Sequence, residues 1–296
     1  MHLPQFIDYL QYEKKYSLHT VNAYQKDISD FSHFVQETFN ENNISACNYS
    51  MIRSWVVSLV TAGISNRSIN RKISSLKTFY KFLLHTKQIE VSPLLKHKSL
   101  KVSKKVQLPF STKEVEEVMA NFNAEGFSGL RDQLIIELFY ATGMRRAELI
   151  NLKLNNINTE ASQIKILGKR NKERIVPLLP SIKKTMSLYL RERNLLELIQ
   201  DNEYLLLTNK GSKLYDTFVY RLVNTYFSRV STKLKRSPHI IRHSFATHLL
   251  NEGADLNSVK ELLGHSSLAS TQVYTHNSIK ELSKVYANYH PRNKIK

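Results

Sequence analysis

Residues 237–253 read SPHIIRHSFATHLLNEG, one amphipathic helix with a chemically loaded start. Ser237 is a natural N-cap, Pro238 suits the first helical position, and Gly253 closes the segment. Ile240, Ile241, Phe245, Leu249 and Leu250 supply a core face. His239 and Arg242 stand three residues apart, so they share a face in the first turns. The unpaired N–H groups of a helix N-terminus favour anions, and a guanidinium and an imidazole beside them make a phosphate-binding corner. An isolated His–Arg pair is more often ordinary surface, so the flanking segments must decide.

Downstream, Asp255 can cap NSVKELLG, Gly264 ends that helix, and His265 follows at once. Ser267 can cap a further helix carrying Tyr274, nine residues beyond His265. Upstream, ATGMRRAEL sets Arg145 just after the helix-ending Gly143, and in a strand turn Gly168 precedes Lys169. With 15 tyrosines, 11 histidines and 43 basic residues in the chain, each of these is dull alone; the order and spacing are not. His239 and His243, four apart, form a candidate metal pair. No HExxH, nearby cysteine or third ligand accompanies them, so no metal site is expected, and His243 and His248 read as packing or DNA-facing residues. GxxxxGK[ST], GxGxxG and GxSxG are all absent, which leaves nucleotide binding and serine hydrolysis without a motif.

The first hundred residues read as helices. In 17–35, Val21, Tyr24, Ile28, Phe31 and Val35 recur at helical spacing behind Ser17 as N-cap. A shorter helix runs from about Ser50 to Thr61 and stops before Gly63. In 65–87, Ile69, Ile73, Leu76, Tyr80 and Leu83 form an apolar stripe, while Arg67, Arg71, Ser74, Thr78 and Lys81 lie on another face. Arg67, Arg71 and Lys81 on that face suit a DNA backbone or major groove, although a merely solvated charged face has the same pattern. Residues 96–105, KHKSLKVSKK, hold five lysines and no acid and read as part of a linker. The expected organisation is a helical domain over 1–95, a basic linker over 96–108 and a second domain over 109–296.

In that second part, Ser111, Thr112 and Glu114 open a helix with a capping pattern. LRDQLIIELFYATG places Leu130, Leu134, Ile135, Leu138 and Phe139 on one face and ends at Gly143; RRAELINL follows as a short helix. LKLNNIN, SQIKIL and ERIVPL read as three short strands, the last two joined by GKRNK. A helix spans about Pro180 to Ile199, and helices resume near Tyr215. The fold class is mainly α with a small β-sheet (α+β).

The whole composition agrees. At 296 residues the chain has room for about two domains. Lys+Arg exceeds Asp+Glu by 43 to 25, a formal charge of +18, on a chain that is 42% hydrophobic and therefore folded. Such a balance points to a polyanion, nucleic acid before an anionic membrane surface. Residues 1–106 carry +8 and the remainder +10, so both parts share the excess. The single cysteine, Cys47, excludes a disulfide framework and a Cys-rich zinc site. The N-terminus, with Asp8 and Glu13, does not read as a signal peptide, and no apolar run nears the ~18 residues of a membrane span. A cytoplasmic protein is the expectation. Only 8 glycines occur, against an ordinary ~7%, which favours helices.

With these residues in view, the chain resembles the tyrosine recombinase/integrase family over nearly its whole length. The motifs are HTVNAYQKDISDF (19–31), ATGMRRAEL (141–149), GKRNKERIVPL (168–178), HIIRHSFATHLL (239–250) and LLGHSSLASTQVYTH (262–276). It looks most like the Xer branch, through the phrase ATHLLNEGADLNSVKELLGHSSLASTQVYTH and a short tail ending NYHPRNK. The resemblance implies a helical core-binding domain and a tyrosine-recombinase catalytic domain that form a C-shaped clamp on duplex DNA.

It also implies roles. Arg145 and Arg242 match the two arginines that grip the scissile phosphate, Lys169 the hairpin lysine, His239 and His265 the active-site histidines, and Tyr274 the nucleophile. Glu148 matches an acidic position that supports the arginine. Arg146 stands where relatives more often have a smaller or apolar residue; position 145 takes the role because it follows Gly143–Met144 at the family's spacing. Neither metal nor cofactor is implied. The last helix of relatives docks into a neighbouring protomer, and Ile279, Leu282, Val285 and Tyr286 have the helical spacing for that, or for packing on their own domain. Implied partners are a double-stranded recombination site, copies of itself or a second recombinase in a tetramer, and a DNA translocase. The implied activity is Xer-type resolution of chromosome or plasmid dimers at cell division. Competing readings are a mobile-element integrase, a type IB topoisomerase and a non-enzymatic DNA-binding protein.

Overall fold

In the computed structural model, which describes residues 3–103, 107–168, 172–264 and 288–291, the apolar stretches of the first hundred residues fold as helices. These are α1 (Leu3–Asp8), continued by a π-helical turn at Tyr9–Glu13, α2 (Leu18–Phe39), α3 (Tyr49–Thr61) and α4 (Asn66–His85). Asn48 caps α3 by accepting from Met51 N–H, and Ser65 caps α4 by accepting from Ser68 N–H. Ser17 occupies the N-cap position of α2, but its hydroxyl pairs with that of Thr20 and makes no cap bond. Phe6, Phe31, Trp55, Phe79, Tyr80 and Leu83 anchor one core. The chain divides between Lys105 and Val106 into two units with separate cores, and Leu100 packs against the first of these. Part of the basic stretch is tied to α4: Asn70 exchanges side-chain hydrogen bonds with the Leu100 backbone and Asn66 donates to Lys101 O.

Inside the first unit one carboxylate is buried. Asp27 on α2 accepts both Arg71 Nη atoms at 2.5 and 2.8 Å, Lys72 Nζ at 3.2 Å and Ser75 Oγ at 2.7 Å, all from α4. Removing one member of a buried, multiply bonded pair strands the others. Asp27→Ala is therefore expected to destabilise the protein by about 3 kcal/mol, read from denaturant midpoints; a loss below a third of that would show that water replaces the carboxylate.

The second unit starts with α5 (Thr112–Ala120), whose Ser111–Glu114 capping box is fully formed and is clasped by Lys233. Then come α6 (Gly126–Thr142) and α7 (Arg146–Ile150). From Leu134 to Thr142 every residue of α6 is buried, since α8 (Pro180–Asn194) and α10 (Pro238–Asn251) pack against it; a helix enclosed on all sides needs no polar face. Strands β1 (Ile157–Asn158), β2 (Gln163–Leu167) and β3 (Glu173–Pro177) form an antiparallel sheet in the order β1-β2-β3, with Ile166 opposite Arg174. The remaining described helices are α9 (Asp216–Ser228) and α11 (Leu256–Leu263).

Two elements differ from the sequence expectation. LKLNNIN is mostly a 3-10 turn, Leu154–Asn156, followed by the two-residue β1. Asn156 Oδ1 accepts from Lys153 N–H, a local side-chain bond that competes with a strand ladder. Helix α8 stops at Asn194, five residues early, where the buried Arg193 turns its guanidinium onto the carbonyls of Asn202 and Tyr204. Among the described residues no helix is long and apolar enough to cross a membrane.

Candidate active site

The site grows from one glycine. Gly143 ends α6 in the left-handed region, φ +57°, and a Cβ there would stand 2.5 Å from Phe245 Cδ1 and 2.7 Å from Leu263 Cδ2. Helices α6, α10 and α11 thus meet where no side chain fits. Gly143→Ala combines a ~1–2 kcal/mol backbone penalty with overpacking of ~1–3 kcal/mol. It is expected to lower stability by about 3 kcal/mol; a variant that melts within a degree of the parent would refute the close approach.

Arg242 stands directly beneath that turn. It is 8% exposed, donating from Nη1 to Gly143 O at 2.5 Å and from Nη2 to Leu263 O at 2.7 Å. Both carbonyls lie at helix C-terminal ends, where the partial charge is negative and a cation is favoured. Burial, then the like charges of Arg145 and Arg174, push its pKa down to about 10, while the Glu148 carboxylate opposes that shift; the guanidinium stays charged near neutrality. Two anchored Nη atoms leave Nε–H and the remaining Nη–H donors for an anion.

Arg145 is the N-cap of α7. Its backbone N–H donates to Glu148 Oε2 at 2.8 Å and its Nη1 to Glu148 Oε1 at 2.7 Å. From β3, Arg174 Nη2 reaches the same Oε2 at 2.8 Å, and its Nε donates to Leu262 O at 2.9 Å. Burial alone would raise the Glu148 pKa, but hydrogen bonds from Arg174 and Arg145, with the Arg174 charge, hold it below the usual carboxylate range. The carboxylate is ionised, buried and shared between two guanidiniums. Arg146, the rival to Arg145, points elsewhere, to Asp216 at 2.8 Å.

A cleft of about 630 Å³ opens beside this cluster, lined by Lys235, Arg236, His239, Arg242 and His243, with Tyr220 at its wall. His239 and His243 are exposed at the start of α10. His248 is buried instead, with Nδ1 2.9 Å from Tyr140 Oη, so it packs the core. No cluster of three metal-ligating side chains occurs among the described residues. Of the six expected catalytic residues, Arg145, His239 and Arg242 fall in one region of the second unit; Lys169, His265 and Tyr274 lie outside the described residues. On α4, Arg67 and Lys81 are exposed, and Arg71, 49% exposed, is tethered by Asp27.

Residues 109–281 match the phage integrase family, and residues 3–87 match the SAM-like N-terminal domain of phage integrases. The chain belongs to the phage integrase family. It is 39% identical over 290 residues to tyrosine recombinase XerC of Anoxybacillus flavithermus, covering 97% of this chain and 96% of the relative. It is 36% identical over 290 residues to XerC of Bacillus subtilis, with coverages of 97% and 95%. It is thus a tyrosine recombinase, an enzyme that breaks and rejoins DNA. Among solved structures, XerH bound to palindromic difH substrate in a post-cleavage complex shares the fold, with TM-score 0.70 and 23% identity over 93% of this chain and 78% of that one.

Arg174 is the residue that motif reading passed over. Its signal was available in ERIVPL: strand alternation puts Arg174 on the same face as Val176, and both are buried. A cation at an inward strand position requires a buried partner, and Glu148 is that partner.

Proposed function

We propose that this recombinase cuts and rejoins DNA at a specific site through a 3′-phosphotyrosyl intermediate, in an Xer-type role resolving chromosome or plasmid dimers at cell division. The observation that carries the reading is the buried Arg242, fixed on the Gly143 turn two residues before Arg145. The full-length likeness to XerC relatives supports the role.

In the reaction, Tyr274 Oη attacks the scissile phosphorus and the P–O5′ bond breaks. His239 takes the phenolic proton, and Lys169 donates one to the leaving 5′ oxygen. Arg145, Arg242 and His265 bind the non-bridging oxygens, whose charge grows in the transition state. Rejoining is the reverse, with a 5′-hydroxyl from the partner strand, so the bond energy is conserved. Charge stabilisation by guanidiniums does the work a metal would otherwise do.

The partners in this reading are duplex DNA and a tetramer of this chain alone or with a second recombinase, with a DNA translocase as regulator. Domain boundaries near 95 and 109 and DNA contacts from Arg67, Arg71 and Lys81 belong to it too.

Trapping on a nicked suicide substrate tests the chemistry: a covalent protein–DNA adduct insensitive to EDTA is expected, and loss of the adduct on chelation would overturn the metal-free route. Mapping the trapped genomic DNA tests the role. One target near the replication terminus supports the Xer reading, whereas a target beside the gene in a mobile element makes the protein an integrase.

A further inference from the structure

Arg174 joins three segments that the reaction uses. It sits on β3, which follows Lys169 in the chain by four residues, and Gly168 N–H bonds Lys172 O at 2.8 Å between β2 and β3. Its Nη2 bonds Glu148, which holds Arg145; its Nε bonds Leu262 O, at the end of the helix preceding Gly264 and His265. Its side chain is 3% exposed. A Cβ on Gly264 would lie 3.1 Å from Arg174 Cδ, so the turn leading to position 265 rests on this side chain.

We propose that Arg174 is a positioning residue for the reaction, holding Arg145 through Glu148 and the end of α11 through Leu262 in one register. This inference rests on the reading under Proposed function. Hydrophobic residues would serve a merely structural position as well, because replacing a buried ion pair by apolar groups is often neutral for stability. A fixed fork with two separate acceptors is what a positioning role requires, and lysine cannot supply it.

The test compares Arg174→Met and Arg174→Lys with the parent in rate of adduct formation on the suicide substrate, non-covalent DNA affinity, melting temperature and pH–rate profile. Misplacing reacting groups by about 1 Å costs on the order of 10²-fold. Adduct formation is expected to fall about 10²-fold in Arg174→Met and at least 10-fold in Arg174→Lys, with affinity kept within threefold. Among the described residues, the charged groups facing Glu148 are Arg145 at the N-cap of its own helix, Arg174 on β3 and Arg242 on α10. Without Arg174, burial raises the Glu148 pKa, so the acid limb of the profile in Arg174→Met moves to higher pH. Adding Glu148→Gln, which cannot titrate, removes that displacement.

A parental rate in folded Arg174→Lys, or a rate loss that tracks melting with the acid limb unmoved, overturns the proposal. Should Arg174→Met fail to fold, the lysine variant alone decides. Tyr274→Phe runs alongside: an adduct that survives in it strikes the nucleophile assignment, whereas its loss with full activity in both Arg174 variants strikes only the positioning role.

Discussion

A Tyr274→Phe variant will hold its DNA site with parental affinity and leave no protein joined to the strand. The substitution keeps the ring and removes one oxygen, so packing is nearly conserved while the only atom able to bond phosphorus at that position is gone. The cleft supplies a competing hydroxyl, because Tyr220 on α9 lines the same wall as His239 and Arg242. Tyr220→Phe is expected to form the adduct at the parental rate. Gel-shifted adduct on a nicked substrate, scored for both variants, decides between them. Adduct retained in Tyr274→Phe and lost in Tyr220→Phe would transfer the nucleophile to α9.

Arg242→Lys should slow adduct formation by about 10²–10³-fold, the usual loss of one preorganised donor to a developing oxyanion. Two effects act in the same direction. The guanidinium uses Nη1 and Nη2 to hold Gly143 O and Leu263 O and still has hydrogens to offer a phosphate. An ammonium has three donors on one atom and cannot satisfy both carbonyls and an anion in that geometry. The second effect is protonation. Burial, with Arg145 and Arg174 nearby, already brings the arginine down to about 10. A lysine starts lower, near ~10.4, and the same surroundings would move it toward neutrality at working pH. The check is the single-turnover rate beside the melting temperature, and a rate within threefold of the parent would mean that Arg242 is a structural clasp between α6 and α11 only.

Much of the local structure was legible in the sequence. The stripe Ile69, Ile73, Leu76, Tyr80 and Leu83 became the buried face of α4, and Ser111 with Glu114 became a complete capping box. These features are set by neighbours within one or two turns. LKLNNIN misled because Asn156 answers Lys153 through its side chain, which favours a turn over a ladder. Arg71 reads as one basic residue among several on an exposed face, yet Asp27, on α2 and 44 positions away, holds it bidentately. Arg174 was hidden in a short strand because its partner Glu148 lies 26 residues earlier.

The family came from the resemblance carried by ordered motifs such as ATGMRRAEL and HIIRHSFATHLL, and the helical and strand periods by themselves gave the fold class. They carry that information because helix and strand periods repeat every few residues and need no distant partner. Which carbonyls clasp Arg242, which arginines share Glu148, and which histidine faces the cleft while another packs the core were decided only by tertiary contacts. Gly143 and Arg242 are 99 residues apart in the chain and meet because three helices close over a glycine without a side chain. A buried charge must find its counterpart wherever packing brings one, and sequence spacing does not encode that distance.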